Sequence, residues 1–120
     1  MTVILIVEDE RFIREMAGWV IEDMGHNTLH AGNFADAISH LGAPGQIDGL
    51  FVDIRLHALT LGGYEVANKA ISLRPGLRVL YTSGTPLSPD MTELFVEGGR
   101  FLQKPYTPDQ LEFCIGELLN

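Results

Sequence analysis

A chain of 120 residues fits one domain and leaves little room for a second. Its 46% hydrophobic content supports a real core, and its net charge of −8, from 16 acidic and 8 scattered basic residues, leaves no stripe that tracks a nucleic-acid backbone. The single cysteine, Cys114, excludes an internal disulfide, and the apolar run within MTVILIVEDE is too short for a signal-peptide core or a membrane span. The chain therefore reads as cytoplasmic, with no direct nucleic-acid partner and no membrane partner.

Val3 to Val7 is continuously apolar and mostly β-branched, as expected of a strand buried on both faces. Ile13, Met16, Ala17, Val20, Ile21 and Met24 then make a helical stripe that stops at Gly25. A weak strand is expected at Thr28 to Ala31, and a helix from Phe34 to Leu41 ends at Gly42 and Pro44. Gly49 to Asp53 (GLFVD) is a second clear buried strand, and a helix from Tyr64 to Leu73 is closed by Pro75-Gly76. Arg78 to Thr82 is the fourth strand, and a helix from Pro89 to Glu97 ends at Gly98-Gly99. That helix would carry Leu94, Phe95 and Val96 in a row, more than one helix face buries. Arg100 to Gln103 is the last strand. The final helix presents Leu111, Cys114, Ile115 and Leu118 on one face, which makes Cys114 a small core residue and leaves Phe113 off the buried stripe.

Alternating strands and helices imply right-handed crossovers, hence an α/β doubly wound parallel sheet with helices on both faces. Sites in such sheets form beyond the carboxyl ends of the strands, where the strand order reverses. Here those ends carry Glu8-Asp9-Glu10, Asp53, Thr82-Ser83 and Lys104. Glu8, Asp9 and Asp53 would crowd three carboxylates together, an arrangement that a hard divalent cation relieves. Mg²⁺ suits it, because it takes one or two carboxylates and keeps waters that a phosphate oxygen displaces. A carboxylate beside Mg²⁺ can attack phosphorus to form an acyl phosphate, with Lys104 and Thr82 as donors to the phosphoryl oxygens. Each residue alone has a plainer explanation: acids at a helix N-terminus, a strand-end carboxylate, a loop hydroxyl, a solvated lysine. The argument is their joint placement at strand ends.

The segments ILIVEDE, GLFVDIR, VLYTSG and FLQKPY, in this order and spacing, resemble the receiver domain of bacterial two-component response regulators over essentially residues 1–120. The resemblance implies a flavodoxin-like (βα)5 fold with strand order 2-1-3-4-5. It implies that Asp53 accepts a phosphoryl group, that Glu8 and Asp9 position Mg²⁺ together with Asp53 and the backbone carbonyl of Arg55, and that Lys104 contacts the phosphoryl group. It implies that Thr82 and Phe101 are switch residues and that Lys104-Pro105 is a cis peptide. The donor would be a sensor histidine kinase or a histidine phosphotransfer protein. The output would be a downstream protein target or a receiver dimer, engaged through the fourth helix, fifth strand and fifth helix. Such a domain is not a conventional enzyme, although it catalyses its own phosphorylation and slow dephosphorylation.

The loop after Asp53 departs from the family pattern. It has Leu56-His57 where relatives commonly have Met-Pro, and it reaches Gly63 ten residues after Asp53 instead of eight. The loop Leu56 to Gly62 thus looks longer and less rigid, and His57 is read as a surface loop residue because Mg²⁺ avoids imidazole. Phe101 stands where tyrosine is common, so its inward and outward positions would differ by packing alone. Three rival readings stay in view. A receiver-like binding module would work without phosphorylation. A flavodoxin-like nucleotide binder needs a glycine-rich phosphate loop where this chain has acids. A Mg²⁺-dependent aspartyl-phosphate phosphatase needs an Asp-x-Asp pattern after strand one and a substrate-covering insertion.

Overall fold

A computed structural model describes residues 1–56 and 62–120; His57 and most of the loop expected from Leu56 to Gly62 lie outside the described residues. The apolar runs become β1 (Val3–Val7), β2 (Asn27–Ala31), β3 (Gly49–Asp53), β4 (Arg78–Ser83) and β5 (Arg100–Gln103). They form one five-stranded parallel sheet in the order β2-β1-β3-β4-β5, the order that the resemblance implied. The helices are α1 (Arg11–Asp23), α2 (Phe34–Gly42), α3 (Gly62–Leu73), α4 (Pro89–Glu93) and α5 (Pro108–Leu119).

Alternate strand residues point to opposite faces, so the sheet serves two cores. Leu5, Val7, Leu50, Val52, Val79 and Tyr81 pack against Ala37, Leu41, Val66 and Ala70 of α2 and α3. Ile4, Ile6, Phe51, Leu80 and Leu102 pack against Ala17 and Ile21 of α1 and Leu111, Ile115 and Leu118 of α5. Each fully buried Ile or Leu of this kind contributes about 1.5–3 kcal/mol. Cys114 is half-buried at the edge of the second core, and burial raises its thiol pKa, as suits a packing residue.

Two expectations about helices need correction. The stripe on α1 is narrower than its sequence period suggests: Ala17 and Ile21 are buried, but Met16 is 40% exposed. The small residues Ala17 and Gly18 let α1 approach β2 closely, since a Cβ on Gly18 would lie 2.8 Å from His30 Cε1. Met16 lies about 100° around the helix from Ala17 and faces outward with exposed Phe12 and Trp19.

The other correction is α4, which stops at Glu93 instead of continuing to Glu97. Its start follows the sequence, with Ser88 as N-cap accepting from the Met91 amide and Pro89 in the first turn. Its end does not, because Phe95 turns inward to stack on Tyr81. Leu94 is left exposed, while Phe95 and Val96 are half-buried, so the three are not displayed along one helix. Phe113 is 68% exposed on α5, as the sequence period required.

Candidate functional site

The strand order reverses between β1 and β3, because β1 has β2 on one side and β3 on the other. The register pairs Val7 with Val52 and Asp53 with Thr82. Residues just beyond β1 therefore arrive beside Asp53, with the end of β4 on its other flank. Glu8, Asp9 and Asp53 each offer a carboxylate oxygen, and the three oxygens lie within 4.8 Å of one another. Glu8 and Asp53 are buried and Asp9 is half-buried.

Lys104, leaving β5, reaches into this group. Its Nζ donates to Glu8 Oε1 at 2.5 Å and to Asp53 Oδ2 at 3.0 Å. Its backbone N–H donates to the Ser83 carbonyl at 2.8 Å, and the Lys104-Pro105 bond is cis, as the resemblance implied. The other oxygen of Asp53, Oδ1, accepts from the backbone N–H of Arg55 at 3.2 Å. Arg55 itself is exposed and lines a cleft of about 390 Å³ with Asp9, Glu10, Asp53, Ser83, Gly84, Thr85 and Lys104.

Burial raises the Glu8 carboxyl from 4.5 to about 7; the Lys104 hydrogen bond opposes that rise, and the neighbouring Asp53 charge adds to it. Burial works against the charge on Lys104, but Glu8 and then Asp53 outweigh it, so its pKa is raised. Glu8, Asp9 and Asp53 bring three carboxylates together, two of them on the Lys104 ammonium. Closely spaced oxygen donors of this kind fit a hard divalent cation.

Thr82 is buried, and its Oγ1 has no hydrogen-bond partner among the described residues. Its backbone carbonyl accepts from the Ile54 amide at 2.9 Å, which ties the end of β4 to the loop after Asp53. Phe101 is half-buried in β5, opposite Tyr81 in the register and one residue removed from Thr82's partner Leu102. Glu8, Asp9, Asp53, Arg55 and Lys104 thus gather around one pocket with Thr82 beside Asp53 in the register, and Phe101 packs in the core on the α2 and α3 side of the sheet.

Two residues at the site escaped sequence reasoning. Arg14 Nη1 donates to the backbone oxygen of Glu8 at 2.6 Å, and so fixes the turn that carries the acids. Tyr106 stands edge-on to Phe51, with ring centroids 5.8 Å apart, and burial pushes its phenol up to about 12. Tyr106 closes the FLQKPY segment, and the signal for Arg14 was its distance along the chain from Glu8.

The profile of the response regulator receiver domain matches residues 4–115. No curated protein matches the chain. Among solved structures, it is similar to a response regulator receiver protein from Sinorhizobium medicae, at 28% identity and a TM-score of 0.88, over 99% of this chain and 94% of the other. It is similar to a CheY-like receiver domain protein from Methanospirillum hungatei, at 25% identity and a TM-score of 0.86, over 99% and 94%. It is similar also to the receiver domain of the hybrid histidine kinase CckA, at 25% identity and a TM-score of 0.81, over 98% and 99%.

Proposed function

Because the chain belongs to the response regulator receiver domain family, we propose that residues 1–120 form one receiver domain in which Asp53 accepts a phosphoryl group from a phosphohistidine donor. The observation that carries this reading is the gathering of Glu8, Asp9 and Asp53 around Lys104 at the reversal of strand order. A carboxylate oxygen of Asp53 attacks phosphorus, the P–N bond to imidazole breaks, and an acyl phosphate forms on Asp53. Glu8, Asp9, Asp53 and the Arg55 carbonyl would hold Mg²⁺, which neutralises charge on the phosphoryl oxygens. Lys104 shifts from its two carboxylate partners towards the phosphoryl oxygens, and the Thr82 hydroxyl, which has no partner among the described residues, donates to them. The domain works as a switch and not as a conventional enzyme.

The donor in this reading is a sensor histidine kinase or a histidine phosphotransfer protein in the cytoplasm. The output is a downstream protein or a second receiver, engaged through α4, β5 and α5, where Leu94 and Phe113 are exposed. Nucleic acid is not contacted directly. Among the described residues no helix is long and apolar enough to cross a membrane.

The test is the metal dependence of labelling. Incubation with acetyl phosphate and Mg²⁺ should add one phosphoryl group, and excess chelator should abolish it. Calorimetry should show Asp9→Ala weakening Mg²⁺ binding more than Glu10→Ala does. Labelling that proceeds equally well in chelator overturns the reading.

A further inference from the structure

Tyr81 is completely buried in β4, one residue before Thr82 and directly opposite Phe101 in the register. Its phenol oxygen accepts a hydrogen bond from the Val96 backbone N–H at 2.9 Å. Phe95 stacks on its ring, with centroids 4.2 Å apart and planes 18° apart, and also faces Phe101 at 6.3 Å. The turn behind them is drawn in tightly. The Gly99 amide donates to the Val96 carbonyl at 2.9 Å, and a Cβ on Gly99 would lie 2.8 Å from the Tyr81 ring. Phe101 has no hydroxyl, but a buried hydroxyl is present one strand away, and it grips the segment between α4 and β5.

We propose that Tyr81 and Phe95 form a latch that couples phosphorylation to the segment from Leu94 to Gly99, the hydroxyl on Tyr81 doing what Phe101 lacks the atom to do. The proposal rests on the phosphoacceptor reading and deepens it. Among the described residues Thr82 Oγ1 is buried without a partner, and a phosphoryl group on Asp53 supplies acceptors. Asp53 and Thr82 are register partners, so a shift of Thr82 towards the phosphoryl group moves the end of β4 and carries Tyr81 with it. Tyr81 points to the opposite face from Thr82, towards Phe95. Cores respond to such displacements by changing between discrete packings and not by yielding smoothly. In the latched packing Phe95 covers Tyr81 and stands beside Phe101. In the released packing the Val96 amide is free, Phe95 leaves the cluster, and its place beside Tyr81 opens to Phe101. The surface that changes is then the short α4 and its following turn, next to exposed Leu94.

The experiment is amide hydrogen exchange at Val96 in the full chain, comparing wild type with Tyr81→Phe, each before and after treatment with acetyl phosphate and Mg²⁺. Tyr81→Phe keeps the ring stack and removes only the acceptor, so folding is expected to survive. Before treatment, Val96 should exchange roughly fivefold faster in the variant than in wild type, the scale of one net hydrogen bond. Phosphorylated wild type should show a similar acceleration, and Tyr81→Phe, labelled as fully on Asp53, should show no further one. Phe95→Leu, which keeps an apolar side chain but not the stack, should give the same pattern if Tyr81→Phe is poorly folded. Unchanged Val96 exchange in the untreated variant overturns the latch. Unchanged exchange in phosphorylated wild type overturns the coupling. A wild type that takes no label overturns the phosphoacceptor reading and the coupling with it, while the untreated pair still decides whether the latch holds the segment.

Discussion

A methyl group on Gly63 would lie 2.3 Å from the backbone oxygen of Asp53 and 2.5 Å from the Cα of Ile54. The Gly63 amide also donates to the Ile54 carbonyl at 2.8 Å, so the first turn of α3 lies directly on the backbone behind Asp53. The later position of this glycine was visible in the sequence, but the contact that requires a glycine depends on how α3 meets the end of β3. Gly63→Ala should cost about 1–3 kcal/mol or more by overpacking, read by urea denaturation, and should slow labelling of Asp53. The acids, Asp53, Thr82 and Lys104 were legible because their chemistry sits at strand ends. Arg14 was not, since its role is to bind a backbone oxygen, which side-chain type does not announce.

His30 offers a residue-scale test with a definite sign. Burial lowers its pKa below 6.5, followed by the charge of Arg14; Glu22 and Glu15 on α1 oppose this, and His40 on α2 adds to it. The unfolded chain then binds the proton more readily than the folded one. The stability contributed by a neutral His30 is complete above 6.5 and is lost as pH falls through the lowered folded value. Glu8 works the other way, because its folded pKa is raised to about 7. The difference between wild type and His30→Gln isolates the histidine, and the variant should lose less stability on acidification from neutral pH. Parallel pH profiles of urea stability for the two proteins would contradict the assignment.

At the scale of elements, the ends of α1, α2 and α3 and the start of α4 were legible in the sequence, and the end of α4 was not. Thr107 with Gln110 forms a capping box at the start of α5, and Ser88 caps α4, both from local sequence. The end of α4 was missed because Phe95 chooses Tyr81 as a partner, and that choice is tertiary.

Arg74 at the end of α3 shows how elements are joined away from the site. Its guanidinium donates to the carbonyls of Leu41, Ala43 and Gly45, at 3.0, 2.7 and 2.7 Å, and so holds the end of α2 and its following turn. Arg74→Met should destabilise the fold by about 1–3 kcal/mol, because carbonyls lose a charged donor. Thermal unfolding measures the loss, and Asp53 labelling should persist in the folded variant.

For the whole molecule, alternation of strands and helices was enough for a parallel α/β sheet, but not for its order. The order β2-β1-β3-β4-β5 was expected from resemblance alone, since any order with right-handed crossovers satisfies the apolar pattern. That order places Glu8 and Asp9 beside Asp53, and the account of function depends on it. The direct test is to locate the phosphoryl group. After treatment with acetyl phosphate and Mg²⁺, mass spectrometry of wild type and Asp53→Asn should find one phosphoryl group, on Asp53, in the wild type and none in the variant. Label of equal amount in Asp53→Asn, or label placed on another residue of the wild type, would contradict the account.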